Sequence, residues 1–150
     1  MTQHSALQTL IGLARDDVDA ATQKLGRVQR EQSEVEKQLQ SLIAYRDEYH
    51  TRFTEAARTG MPAGNVRNFQ AFIDTLDAAI EQQRRILEQA TARVEAARPE
   101  WQRTQQKLGS YEVLQKRQDD VEARKEARRD QRDADEFAAR ARRMRSSQHS

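Results

Sequence analysis

Apolar residues recur along the first third of the chain in alternating steps of four and three. From Leu7 the series runs through Ile11, Ala14, Val18, Ala21, Leu25, Val28, Gln32, Val35, Leu39, Leu42, Arg46, Tyr49 and Phe53, and twelve of these fourteen positions are apolar. A period that averages 3.5 residues keeps one narrow stripe on one side of a helix, the seam of a left-handed coiled coil. Ser5-Ala6-Leu7-Gln8 has the S-x-x-Q form of a capping box, in which the Ser and Gln side chains each satisfy an unpaired backbone N–H. The pattern therefore predicts a first helix over about residues 5–57.

The stripe lapses between Thr59 and Asn65, where Thr-Gly-Met-Pro-Ala-Gly-Asn collects two of the five glycines and one of the two prolines, and a turn is predicted over about residues 58–65. A second stripe then runs through Phe69, Ile73, Leu76, Ile80, Gln83, Leu87, Ala90, Val94, Ala97, Trp101, Thr104, Leu108 and Tyr111, with eleven of thirteen positions apolar. A short connection between two heptad helices predicts an antiparallel hairpin, in which residues at equal distance from the turn face each other. With the turn centred near residue 61, facing residue numbers add to about 122, which sets Tyr49 near Phe72, Tyr45 near Leu76, Leu42 near Ala79 and Leu7 near residue 115.

Helix 1 is then used up when helix 2 reaches about residue 118. After Leu114 and Val121 no large apolar residue appears until Phe137, and the Ala, Arg, Glu and Gln that intervene predict a helix continuing unpaired to about residue 145. At about 1.5 Å per residue, the paired part is expected to be roughly 80 Å long. Pro99 removes one backbone hydrogen bond, but it falls two positions after Ala97, on the outward side, and predicts a kink rather than a break. Gly12, Gly26 and Gly109 are further soft points, with Gly12 and Gly109 at the same level of the hairpin. The expected fold is all-α: a single elongated domain over residues 1–150, a long two-helix antiparallel coiled coil with an overhanging C-terminal helix.

Composition supports helices and excludes much else. Of 150 residues 36% are apolar, 5% aromatic and 33% charged, which is too little apolar surface for a rounded globule. Such a composition also suits disorder, and it is the heptad periodicity that argues for order. The absence of cysteine excludes disulfides, thiolate catalysis and Cys-based metal sites. The start lacks the basic and apolar regions of a signal peptide, and no apolar run approaches the roughly 20 residues that span a bilayer, so a soluble, unexported chain is expected.

Catalytic chemistry is hard to place on this chain. His4, His50 and His149 are scattered and read as surface residues, without a metal-binding set. No phosphate-binding glycine loop, nucleophile elbow or H-E-x-x-H is present. The acidic pairs Asp16-Asp17 and Asp119-Asp120 read as solvated faces, since two helices offer no enclosed pocket to tune them. Glu48 to Arg52, Glu81 to Arg85, Asp120 to Arg124 and Glu136 to Arg140 are spaced to support exposed helix. The chain is expected to be no enzyme and to use no cofactor.

Two regions stand out. Residues 122–145 carry nine cations and six acids, net +3, and the arginines among them could meet nucleic acid, an acidic membrane or a protein; the interspersed acids favour a protein. Five of the aromatics, Tyr45, Tyr49, Phe53, Phe69 and Phe72, gather beside the turn. Tyr49, Phe53 and Phe69 suit a hairpin core, whereas Tyr45 and Phe72 each fall one residue off the stripe, as a recognition patch would.

Leu42-Ile43-Ala44-Tyr45-Arg46-Asp47-Glu48-Tyr49 and Asn68-Phe69-Gln70-Ala71-Phe72-Ile73-Asp74-Thr75-Leu76-Asp77-Ala78-Ala79-Ile80-Glu81-Gln82 resemble the FliJ family of flagellar proteins. The start Met1 to Leu7, Trp101, Leu114-Gln115-Lys116-Arg117-Gln118 and Asp135-Glu136-Phe137-Ala138 follow in the same order, so the resemblance covers nearly the whole chain. It implies a component of the bacterial flagellar type III export apparatus, in the cytoplasm at the inner face of the cell membrane, with a coiled coil similar to the stalk subunit of rotary ATPases. It further implies that the chain ends enter the hexameric flagellar export ATPase and promote its assembly, and that another surface meets the cytoplasmic domain of the export gate protein FlhA. Flagellar export chaperones and the ATPase regulator are further implied partners.

The family's gate-binding surface carries over to Gln38, Leu42, Tyr45, Tyr49, Phe72, Leu76 and Ala79, and Gln83 stands where the resemblance expects His. For the ATPase, the helix ends point to Leu7, Ile11, Arg15, Leu114, Arg117, Val121, Arg124 and the overhang. The rival reading of the residues is a basic coiled-coil adaptor that binds nucleic acid or an acidic membrane surface.

Overall fold

The computed structural model describes residues Thr2–Gln148, so His149 lies outside the described residues. Two helices account for nearly all of them, α1 over Thr2–Thr59 and α2 over Ala63–Gln148, packed against each other as an all-α hairpin. Every position of both heptad series is buried or half-buried, including the polar Gln32, Arg46, Gln83 and Thr104. The periodicity thus selects the packed side of each helix without exception, because only a 3.5-residue repeat stays facing its partner over this many turns.

The helices begin and end differently from expectation. Ser5 is no cap: it lies inside α1, where its carbonyl accepts a hydrogen bond from the Thr9 hydroxyl at 2.9 Å. The connection is only Gly60-Met61-Pro62. Gly60 takes φ of 91°, a left-handed geometry that an L side chain resists, and its N–H donates to the Ala57 carbonyl to close α1. The Pro62 carbonyl then accepts from the N–H groups of Asn65 and Val66, which starts α2 at once. Ala63, Gly64 and Asn65, turn-like by composition, form its first helical turn.

The chain divides into two compact units, and both helices contribute to each. One unit comprises Asp16–Gln105. Its core is thin: Val28, Leu39, Ile73, Leu76, Ile80, Ala90, Val94 and Ala97 are buried, with Val28, Val94 and Ala97 in one cluster that Leu25 packs against. Polar rungs cross the seam between the apolar ones. Trp101 Nε1 donates to Thr22 Oγ1 at 3.0 Å, Lys24 Nζ to Glu100 at 3.1 Å, Gln32 Nε2 to Thr91 Oγ1 at 3.0 Å and Arg46 Nε to Asp77 at 2.8 Å. Gln83, the residue that stands in place of the expected His, donates to the Val35 carbonyl at 3.3 Å and to Gln38 Oε1 at 3.1 Å. The paired numbers add to between 118 and 124, as an antiparallel register centred on the turn requires.

Pro99 is exposed in this unit, and α2 runs through it unbroken. Its missing N–H leaves the carbonyl four residues back without its helical donor.

The other unit comprises Met1–Arg15 with Gln106–Ser150. Leu7, Ile11 and Ala14 are buried there, and Leu108, Tyr111, Gln115 and Gln118 of α2 are half-buried. His4 Nε2 lies 3.1 Å from Glu122 Oε1. From Glu122 to Phe137 every residue is exposed, so this stretch of α2 is a solvated helix.

Candidate functional site

A residue that immediately precedes a seam position lies about 100° from it around the helix axis. When two helices run antiparallel, that offset sends such residues on both helices to the same flank. Tyr45 precedes Arg46 and Phe72 precedes Ile73, so their rings spill out together on one flank of the unit formed by residues 16–105.

The rings form a connected cluster. Tyr45 meets Phe72 edge to face, with centroids 6.3 Å apart and planes at 85°, while Tyr49 lies 4.6 Å from Phe72 and 5.1 Å from Phe69. Phe53 continues the series at 5.6 Å from Phe69. Tyr49, Phe53 and Phe69 are half-buried in the seam, whereas Tyr45 is 48% exposed and Phe72 37%. Its inner rings pack the hairpin and its outer pair faces water.

Beside them Arg46 holds a seam position. Its guanidinium is raised above the ordinary arginine range by the Asp77 hydrogen bond, then by the charge of Asp77, with a smaller contribution from Asp47 3.6 Å away. The charge is therefore fixed, and the arginine stem covers apolar seam while its head stays tied to α2. An open groove lined by Lys37, Gln38, Leu42, Tyr45 and Gln83 leads along the same flank.

The seven gate-binding candidates form a strip. Gln38, Tyr45, Phe72 and Ala79 precede seam positions, while Leu42, Tyr49 and Leu76 occupy them. Gln38, Tyr45 and Phe72 are exposed, Leu42, Tyr49 and Ala79 half-buried, and Leu76 is buried. Leu76 can support this surface but presents little of its own side chain to a partner.

The candidates near the chain ends divide further. Leu7 and Ile11 are buried in the seam and offer nothing to a partner while the hairpin is closed. Arg15 follows a seam position and belongs to the opposite flank. Leu114 and Arg117 are exposed and precede the half-buried Gln115 and Gln118, Val121 is exposed just before the solvated stretch, and all three line one groove with His4, Gln118 and Lys125; Arg124 is exposed on the solvated stretch. Leu10 and Leu13 obey the same rule on α1 and are exposed on the same flank as Leu114, although sequence reasoning passed over them. Two leucines each one residue ahead of a seam position were the signal. Within this groove Gln118 Oε1 is buried and makes no hydrogen bond.

Among the described residues, no group of three or more His, Cys, Asp or Glu side chains could hold a metal ion. No helix among them is long and apolar enough to cross a membrane. Both patches expose large apolar side chains to solvent.

The model of the family described as "Flagellar FliJ protein" matches residues 3–147 of this chain. The chain belongs to the FliJ family. A Flagellar FliJ protein of Salmonella typhi is 40% identical over 141 residues, which cover 94% of this chain and 96% of that protein. A Flagellar FliJ protein of Escherichia coli (strain K12) is 38% identical over the same length and shares. FliJ membership makes the chain a component of flagellar protein export.

Proposed function

We propose that the chain is a non-enzymatic component of the flagellar type III export apparatus, with two exposed apolar patches, one beside the turn and one near the chain ends, serving different partners. The aromatic patch meets the cytoplasmic domain of the export gate protein FlhA, and the Leu10, Leu13, Leu114 and Val121 patch meets the hexameric export ATPase. In this reading the chain promotes assembly and activity of the hexamer, couples it to the gate, and takes part in handling export chaperones alongside the ATPase regulator. It works at the inner face of the cell membrane.

The observation that carries the reading is the edge-to-face pairing of exposed Tyr45 and Phe72 outside the seam, beside the half-buried Tyr49, Phe53 and Phe69. Evolving two large rings into water has a solubility cost that a binding role offsets. The ATPase assignment follows from symmetry: one hairpin inside a six-fold ring cannot touch all subunits alike, so it biases their nucleotide states one at a time.

Pull-down of purified gate domain and of purified export ATPase by the tagged chain tests the two assignments. Capture of the gate domain that is lost in Tyr45→Ala with Phe72→Ala, while ATPase capture persists, supports the division of labour. Loss of both together contradicts it.

A further inference from the structure

Charge is not spread evenly along the C-terminal part of α2. Residues 122–136 carry five cations and six acids, whereas residues 137–148 carry Arg140, Arg142, Arg143 and Arg145 and no acid at all. The acids that set the earlier stretch against a polyanion are therefore absent from the end of the helix. That end is helical to Gln148.

Its Phe137, at 77%, and Met144, at 71%, are the most exposed of the large apolar side chains among the described residues. They share a face, because Phe137, Ala141 and Met144 are spaced i, i+4 and i+7, with Ala134 and Ala138 at its edge. At 100° per residue, Arg140 and Arg143 fall on one side of that stripe and Arg142 and Arg145 on the other. A narrow apolar face edged by arginine on both sides is the arrangement of a helix lying in a membrane interface.

We propose that residues 137–148 form a membrane-surface helix that binds anionic phospholipid directly. Phe137 and Met144 enter the boundary between headgroups and acyl chains, and the four arginines extend sideways to lipid phosphates. A nucleic acid would neutralise the arginines but leave the two exposed apolar side chains in water, whereas a bilayer interface accommodates both. Each arginine near an anionic leaflet strengthens partitioning about fivefold, and the apolar pair adds a component that salt does not screen. The inference is independent of the gate and ATPase assignments, since it concerns the chain and lipid alone.

Flotation of the full-length chain with vesicles tests it. The chain is expected to float with vesicles of phosphatidylglycerol and phosphatidylcholine and to stay behind with phosphatidylcholine alone. Phe137→Ser with Met144→Ser is expected to lower binding at physiological salt by at least about tenfold, and the four Arg→Gln replacements to abolish it, with helicity unchanged by circular dichroism. Failure to float with anionic vesicles at low salt would overturn the proposal. So would binding that the two serine substitutions leave intact and that salt removes completely, or RNA binding as tight as lipid binding and equally indifferent to those substitutions, because either result assigns the arginines to bare polyanion attraction.

Discussion

Tyr45 and Phe72 meet edge to face at 6.3 Å on the flank of the hairpin, one residue off the seam on each helix. Truncating them removes surface and little core. Tyr45→Ala with Phe72→Ala is expected to weaken binding of the gate's cytoplasmic domain at least about tenfold by titration calorimetry, with the circular dichroism spectrum unchanged. A loss of helical signal would instead make both rings part of the structural core.

Tyr49 touches both Phe69 and Phe72 from within the seam, so its truncation acts on folding. Tyr49→Ala is expected to cost about 1–3 kcal/mol in urea unfolding, because a half-buried ring leaves a gap that two helices close only in part.

Gly12 and Gly109 sit in helix interiors, and a Cβ added at either meets nothing within 4 Å. Gly12→Ala and Gly109→Ala are each expected to stabilise the chain by about 0.5–1 kcal/mol, seen as a raised melting temperature. Gly60→Ala should do the opposite, since φ of 91° strains any residue with a side chain.

Ala90 and Ala97 are buried where the helices pack, and their size sets how closely the two backbones approach. Ala90→Leu is expected to destabilise by about 1–3 kcal/mol despite adding apolar surface, because the thin seam has no space for three more carbons. Thermal unfolding followed by circular dichroism reads the effect.

The packed side of each helix was legible in the sequence because it depends on one physical variable, the angle around a helix, which a 3.5-residue repeat reports directly. Polar Gln32, Arg46 and Gln83 kept their place in the stripe because hydrogen bonds across the seam compensate their burial. Helix limits were less legible. Ala63-Gly64-Asn65 has the composition of a turn, yet a single left-handed residue, Gly60, and the Pro62 carbonyl suffice to reverse the chain.

The aromatic flank was visible as two rings off the stripe. The patch near the chain ends was legible only in part, because distance along the helix points to the buried Leu7 and Ile11 as readily as to Leu114 and Val121, while exposure depends on the angle around it. Applied to Leu10 and Leu13, the offset that singled out Tyr45 and Phe72 finds the missing half of that patch.

The central proposal is that the chain acts on the export ATPase by contact through the Leu10, Leu13, Leu114 and Val121 patch. Steady-state ATP hydrolysis by the purified ATPase, with and without the purified chain, tests it most directly. The predicted result is no hydrolysis by the chain alone, a raised rate when the intact chain is added, and no increase when those four residues are serine or when residues 119–150 are deleted. An ATPase rate that stays the same on adding the intact chain would contradict the account.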